Sequence, residues 1–108
     1  MLLSYFVMAL YLVRAKPRKD LMKSLRQELD SGSISRLKPF GEELHHGLDN
    51  ARADGSYAYW VEEDYCSPPL AMERASMLDR YFDEITVDPV GSEDEGWNKI
   101  KDKPSIWQ

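Results

Sequence analysis

Runs of apolar residues along the chain predict three β-strands. The run from Leu2 to Val13 is interrupted only by Ser4, and its part Ala9 to Arg14 is apolar on both faces, as expected for a central strand. Aromatic and β-branched residues predict a second strand at 57–64. A short third strand is predicted at 86–90, and the proline within it places this strand at a sheet edge.

The second predicted strand divides its side chains between two faces by alternation. One face carries Tyr57, Tyr59, Val61 and Glu63, and the other carries Ala58, Trp60, Glu62 and Asp64. Both faces begin apolar and end acidic. We therefore expect this strand to run from the core to an edge or a cleft, with its carboxylates at the outer end.

Two helices are predicted between the first and second strands. The first begins at Pro17 and ends at Ser31-Gly32, with an apolar stripe of Leu21, Met22, Leu25 and Leu29. The second begins at Pro39 and ends at Asp54-Gly55, with an apolar stripe of Phe40, Leu44, Leu48 and Ala51. The stretch 33–37 between them fits either a helical turn or a short strand.

A third helix is predicted directly after the second strand. Ser67 is a favourable N-cap, and Pro68 suits the first helical position. Since neither Pro68 nor Pro69 has an amide hydrogen, we expect the Ser67 hydroxyl to accept a hydrogen bond from the Leu70 N–H. The predicted apolar stripe is Ala71, Ala75, Leu78, Phe82 and Ile85, widened by Leu70, Met77 and Tyr81. The side chains left for solvent are Glu73, Arg74, Asp79, Arg80 and Asp83.

The order strand, helix, helix, strand, helix, strand predicts an α+β fold. The expected architecture is a ferredoxin-like sandwich with a small antiparallel sheet, whose second strand is short or replaced by helix. Residues 1–90 are expected to form a single domain. Residues 91–108 are expected to form an acidic linker and a tail whose tryptophans, Trp97 and Trp107, dock onto the body or onto a second subunit.

In element order, residues 8–90 resemble the small dimeric α/β-barrel proteins, which include YciI-like and stress-responsive barrel domains. The resemblance implies two sheets packed face to face, with a ligand or catalytic pocket between sheet and helices. The YciI-type His/Asp pair has no counterpart here, because both histidines lie on the second predicted helix. Residues 60–70 also resemble the signature of an uncharacterised bacterial family, in the run WVEEDYCSPPL.

Charge and cysteine content narrow the range of partners and compartments. Residues 54–95 carry 12 acidic and 2 basic side chains, a net charge of −10, so a nucleic-acid partner is not expected. Cys66 is the only cysteine, which excludes an intrachain disulfide and favours a reducing, cytoplasmic location. The apolar run 2–13 is too short to span a bilayer and lacks the basic region of a signal peptide, so no membrane partner is expected. The natural start is left open between Met1 and Met8.

Glu62 and Asp64 are the candidate catalytic residues. They share a strand face with Trp60, and a carboxylate beside an aromatic wall can have a raised pKa, which suits a general acid or base. Tyr59 or Tyr65 would then serve as a proton donor. The alternative interpretation is a solvated acidic turn.

Cys66 follows these carboxylates and precedes a predicted helix N-terminus, which would favour a thiolate, although the neighbouring negative charges oppose one. Its alternative role is that of a small buried hydrophobe. The predicted ligand-binding residues are Trp60, Tyr59, Tyr65 and Cys66.

Glu42, Glu43, His45 and His46 give Glu-x-x-His twice on one helix. Di-metal bundles use this spacing, but they need further helices that this chain lacks. A polar helix face is the favoured interpretation, and neither a metal nor a cofactor is predicted.

The leading functional hypothesis is a small cytoplasmic homodimer that binds a small molecule. A second protomer would cover the sheet face that three helices leave open. Two alternatives are kept: a cofactor-independent enzyme that uses the strand-end carboxylates, and a protein-interaction module that uses the C-terminal tail.

Overall fold

A computed structural model describes residues 9–108, which form a four-stranded antiparallel sheet packed against helices. Interpretations of residues 1–8, including the choice of start, lie outside the described part. The strands are β1 (Ala9–Pro17), β2 (Arg52–Asp54), β3 (Tyr57–Asp64) and β4 (Phe82–Val90). The α+β class predicted from the sequence is confirmed.

Four helices accompany these strands in the described residues. A 3₁₀ turn at Lys19–Leu21 leads into α1 (Met22–Ser31), and α2 follows at Gly41–Asp49. We define α3 as three consecutive segments, Ala71–Glu73 (α), Arg74–Leu78 (π) and Asp79–Tyr81 (α), and α4 as Glu93–Ile100. Within residues 9–108, none of the helices has the length and apolar character needed to cross a bilayer.

The sheet has the strand order β2-β3-β1-β4, and every neighbouring pair is antiparallel. Val13 of β1 pairs with Trp60 on one side and Val87 on the other, so the first strand is central, as predicted. The strand that contains Pro89 is at the edge, also as predicted. Assignment to the ferredoxin-like families stays a prediction.

The core lies on the sheet face that carries Val13, Ala58 and Trp60, against α1, α2 and α3. Trp60 is fully buried, and its ring packs against Phe82 at a centroid distance of 5.2 Å. The helices contribute Leu25, Leu29, Leu44, Leu48, Met77 and Leu78. Glu62 and Asp64 point to this same face and are buried there, so β3 places these two carboxylates in the protein interior.

The opposite face of the sheet is covered in part by α4. Gly96 lies so close to β3 that an added Cβ would be 2.7 Å from Cγ2 of Val61. After the helix, the Ile106 N–H donates to the Ala51 carbonyl at 3.0 Å and the Trp107 indole donates to the Leu48 carbonyl at 2.9 Å. The tail thus docks onto the body of its own chain.

Pro17 was predicted to begin the first helix, and this was wrong. It ends β1, where it pairs with Phe82 of β4, and α1 begins only at Met22. Pairing with β4 overrides the local helix signal. The predicted stop is confirmed, because Gly32 caps α1 with φ = 83°, a conformation that glycine adopts readily.

The second predicted helix was too long at its C-terminal end. It ends at Asp49, and Asp54-Gly55 begins the turn between β2 and β3 rather than ending a helix. Gly55 has φ = 61°, as hairpin turns require. The short strand β2, Arg52–Asp54, lies in the stretch that was predicted to end this helix.

The third predicted helix was wrong in its start and its end, and at two positions of its predicted faces. It begins at Ala71 and ends at Tyr81, because the chain pairs with β1 from Phe82 onward. Ala75 is exposed and Glu73 is buried, the reverse of the prediction. A π segment has more residues per turn than an α-helix, so the 3.6-residue periodicity does not hold across it.

The predicted acidic linker at 91–95 instead starts a helix. Ser92 caps α4, since its hydroxyl accepts from the Glu95 N–H at 3.0 Å, and the Glu95 carboxylate accepts from the Gly91 N–H at 3.0 Å. Acidic residues in a first helical turn favour the helix electrostatically. The acidic run is therefore a capping sequence.

Substitution of Gly96 by alanine tests the docking of α4. Alanine has a higher helix propensity than glycine by about 1 kcal/mol, but overpacking against the buried Val61 costs about 1–3 kcal/mol. We expect the steric term to prevail, with a net loss of about 1 kcal/mol in the free energy of unfolding measured by urea titration. Asn98→Ala, at an exposed position of the same helix, should be neutral or slightly stabilising. Equal effects of the two substitutions would contradict the close contact of α4 with β3.

Candidate functional site

The side chain of Asp64 joins the end of β3 to the start of α3. Its Oδ2 atom accepts hydrogen bonds from the Leu70 N–H at 2.6 Å and from the Cys66 N–H at 3.2 Å. Leu70 has φ = 65°, which is unfavourable for a residue with a side chain. The two bonds to one buried carboxylate fix the intervening loop.

Ser67 was predicted to cap this helix, and this was wrong. The predicted donor, the Leu70 N–H, is the right one, but its acceptor is Asp64, and Ser67 is exposed. The loop orients the Leu70 amide back toward the end of β3. The cap is thus a carboxylate six residues earlier in the chain.

Glu62 is buried completely beside Trp60. The Trp60 indole N–H donates to Oε1 of Glu62 at 2.8 Å, while Oε2 has no hydrogen-bond partner within residues 9–108. The sequence-based alternative of a solvated acidic turn is therefore wrong for Glu62 and for Asp64. Alternation identified their shared face with Trp60, and that face is the core.

Glu73 of α3 faces Glu62 and Asp64 from the opposite side. Its side chain is 1% exposed, and within the described part of the chain neither carboxylate oxygen has a hydrogen-bond donor. Three carboxyl groups thus meet in the interior at the end of β3. Sequence periodicity did not indicate this third carboxyl group, because it assigned Glu73 to the solvent side of the helix.

Burial raises the pKa of Glu62 well above its ordinary value, and contact with Glu73 raises it further. Burial also raises the pKa of Glu73, while its contact with the Glu62 carboxyl group acts in the opposite direction. The direction of this shift favours the protonated form of Glu62 relative to an exposed glutamate.

Cys66 brings a thiol to the same place. The backbone hydrogen bond with Met72 acts to lower the pKa of this thiol, but desolvation and the charge of Asp64 outweigh it and raise the pKa. Asp64, Cys66 and Glu73 each offer one donor atom, and these atoms all lie within 4.8 Å of one another. Two oxygen donors and one sulfur donor therefore converge.

A cleft of about 210 Å³ opens directly onto these groups. Its lining consists of Pro39, Phe40, Glu43, Glu63, Asp64, Tyr65, Cys66, Met72 and Glu73. Tyr65 and Met72 are 58% and 43% exposed. The carboxylate of Glu43 accepts from the Glu63 N–H at 3.3 Å, and desolvation together with the charge of Glu93 raises the pKa of Glu43.

The structure brings together only some of the residues predicted for the site. Asp64, Tyr65 and Cys66 line the cleft, whereas Trp60 and Glu62 are buried beside it and are not part of its lining. Tyr59 lies on the other sheet face, with the Lys103 ammonium 5.4 Å from its ring centre. General acid–base catalysis by Glu62 or Asp64 stays a prediction.

Several cleft residues were not predicted from the sequence. Phe40 and Glu43 come from the start of α2, and Met72 and Glu73 come from α3. The sequence pattern assigned Phe40 to the apolar stripe of the second helix. Glu43 was noted only as part of the Glu-x-x-His spacing with His46. Long-range packing of two helices against the strand end unites them.

The two histidines are not part of this cluster. His46 packs edge-on against Trp97 at a centroid distance of 6.0 Å, and His45 is half-buried. Among residues 9–108, neither belongs to a group of three or more close metal-ligating side chains.

The π segment Arg74–Leu78 begins immediately after Glu73. Single π turns inside helices are often found at functional sites. Here Glu73, which immediately precedes the segment, is buried, while Arg74 pairs outside with Asp79 at 2.8 Å.

Comparisons with known proteins do not identify a relative of this chain. No protein-family model, no curated protein and no solved structure matches it. Function must therefore be inferred from the geometry of the site.

Replacement of Asp64 by alanine tests the cap. Alanine would leave the Leu70 and Cys66 amides without an acceptor. Each buried amide that loses its hydrogen bond lowers the free energy of unfolding by about 1–3 kcal/mol. Ser67→Ala is the matched control and should change stability by less than about 0.5 kcal/mol, since Ser67 is exposed. Urea unfolding of both variants decides the matter, and equal losses would restore Ser67 as the cap.

Replacement of Glu62 by glutamine tests the carboxyl pair in protein stripped of metal by a chelator. Glutamine keeps an acceptor for Trp60 and offers Glu73 an N–H donor. We expect a gain of about 1–3 kcal/mol in the free energy of unfolding at neutral pH.

The pH dependence follows from the raised pKa of Glu62. The unfolded state releases this proton above about pH 4.3, while the folded state retains it to higher pH. Wild-type stability therefore falls relative to Glu62→Gln as pH rises through this range. Ser67→Ala, which removes no ionisable group, should show no such trend, and a gain independent of pH in Glu62→Gln would contradict the predicted protonation.

Proposed function

We propose that the protein binds a small cation in the cleft at the end of β3. The observation that carries the proposal is Glu73, whose carboxylate is 1% exposed, has no donor among residues 9–108, and lines the cleft. A buried carboxylate without a partner is destabilising by several kcal/mol. A bound cation would remove this cost.

The lining of the cleft supports a positively charged ligand. Four of its side chains are carboxylic acids, and none of the nine residues is lysine, arginine or histidine. The ion pairs nearest in sequence, such as Arg74 with Asp79, lie on the outside of α3. None of the nine lining residues therefore supplies a counter-charge to the acidic cleft.

The volume of the cleft limits the size of the ligand. At about 210 Å³ it is smaller than the roughly 300–1,000 Å³ of pockets that hold drug-sized molecules. Phe40 and Met72 supply apolar walls above the carboxylates. A metal ion or a small organic ammonium ion fits these properties, and a large or anionic ligand does not.

This proposal gives a charge and a size to the small-molecule binding expected from the sequence. Binding is favoured over acid–base catalysis because Glu62, the carboxyl group with the most strongly raised pKa, does not line the cleft. The homodimer stays a prediction, and one of its premises has changed, because α4 covers part of the face that a second protomer was expected to cover.

Thermal unfolding in a chelator-treated, low-salt buffer tests the proposal. The cation probes are chlorides of Mg²⁺, Ca²⁺, Zn²⁺, methylammonium and 1,4-diammoniobutane, and sodium acetate and sodium phosphate serve as anion probes. A ligand present at 100 times its Kd stabilises the folded state by about 2.7 kcal/mol, so a bound cation should raise Tm by several degrees.

Glu73→Gln should abolish the cation-induced rise in Tm, measured relative to the variant without added cation. Glu42→Gln, at an exposed position of α2, is the matched control and should keep the full rise. The proposal is overturned if no cation raises Tm, or if the rise persists in Glu73→Gln.

A further inference from the structure

We propose that the cation is a thiophilic divalent metal ion of the Zn²⁺ type, bound by Asp64, Cys66 and Glu73. The inference rests on the proposed function, because it names the cation that the cleft takes. It departs from the sequence-based expectation that the protein binds no metal.

The three donor atoms are already close to the spacing that such an ion requires. Zn–O and Zn–S bonds of about 2.0–2.3 Å at tetrahedral angles separate the donors by about 3.3–3.8 Å. In the structure, the three donor atoms all lie within 4.8 Å of one another. The distances between the donor atoms would have to shorten slightly for all three to bind one ion. Rotation of the half-buried Cys66 side chain and small shifts of the two carboxylates would achieve this.

Each carboxylate has an oxygen available for the ion. Oδ2 of Asp64 is engaged by the Leu70 and Cys66 amides, and its other oxygen is not used by either bond. Both oxygens of Glu73 lack a donor in the described residues. Asp64 is thus held rigidly by the backbone, while Glu73 supplies an unpaired charge.

Two further residues support the proposed metal-binding side chains. The Trp60 indole holds Glu62, and Glu62 contacts the Glu73 carboxyl group. Partners of this kind orient metal ligands and fix their geometry. The unpaired Oε2 of Glu62, on a side chain that is 0% exposed, is a second buried polar atom at the same site.

The sulfur donor decides between the classes of cation. Mg²⁺ and Ca²⁺ prefer all-oxygen sites, whereas a thiolate selects Zn²⁺ and similar ions. An organic ammonium ion would use the carboxylates but gain little from the thiol. Three protein ligands leave the fourth tetrahedral position toward the cleft, where water or a small molecule would bind.

Titration with Co²⁺ as a spectroscopic substitute for Zn²⁺ tests the site on the full-length chain, with a thiol-free reductant present. Since Cys66 is the only cysteine, a thiolate-to-metal charge-transfer band within one chain can come from no other residue. We expect this band to saturate at one Co²⁺ per chain and to disappear on addition of one equivalent of Zn²⁺.

Three substitutions assign the ligands. Cys66→Ser should remove the charge-transfer band, and its visible d–d absorption and circular dichroism show whether the variant is folded and still binds Co²⁺. Glu73→Gln and Asp64→Asn should each weaken binding by at least about 10–100-fold, the range known for loss of supporting groups alone. Glu42→Gln is the control and should bind as the wild type does.

The outcomes separate this inference from the proposed function. If no charge-transfer band forms but methylammonium or 1,4-diammoniobutane raises Tm in a Glu73-dependent way, the metal inference is overturned and the cation cleft stands. If neither metal nor ammonium ions bind, both are overturned. If the band forms but persists at full affinity in Glu73→Gln and Asp64→Asn, Cys66 binds metal outside the inferred site, and the inference is again overturned.

Discussion

The pair of hydrogen bonds from the Leu70 and Cys66 amides to Asp64 sets the geometry on which the site depends. They turn the chain sharply at the end of β3 and start α3 against the strand. Only this arrangement brings Glu73 of the helix opposite Glu62 of the strand. The carboxylate that stabilises the corner is also one of the groups that the corner gathers, so structure and proposed function depend on the same side chain.

Burial of three carboxyl groups at one strand end opposes folding, and the structure compensates for it only in part. Asp64 receives two backbone donors and Glu62 receives the Trp60 indole, but Glu73 receives no donor from the described residues. A carboxylate that only stabilised the fold would be exposed or paired with a basic side chain. Glu73 is instead buried beside a cleft whose lining has no basic residue, so a bound cation would offset the cost of burying it.

The sequence predicted β1, β3 and the second half of β4, because alternation and β-propensity are local, but it assigned β2 and the start of β4 to helices. It placed Trp60, Glu62 and Asp64 on one face and identified Leu70 as the amide in need of an acceptor. It did not predict the acceptor or the role of Glu73, because both depend on the left-handed conformation of Leu70 and on the π segment after it, which end the simple helical periodicity. The sequence analysis also missed α4. It assigned the acidic run 91–95 to a linker because it did not identify Ser92 as a helix cap.

The central claim is that Asp64, Cys66 and Glu73 form a binding site for a Zn²⁺-type ion. Anomalous diffraction from a crystal soaked in Zn²⁺ tests it most directly, since the peak locates the ion without reference to any assay. We expect a peak within bonding distance of all three side chains, with the Leu70 N–H still donating to Asp64. Peaks confined to other parts of the surface, with Glu73 paired instead to a basic side chain, would contradict it.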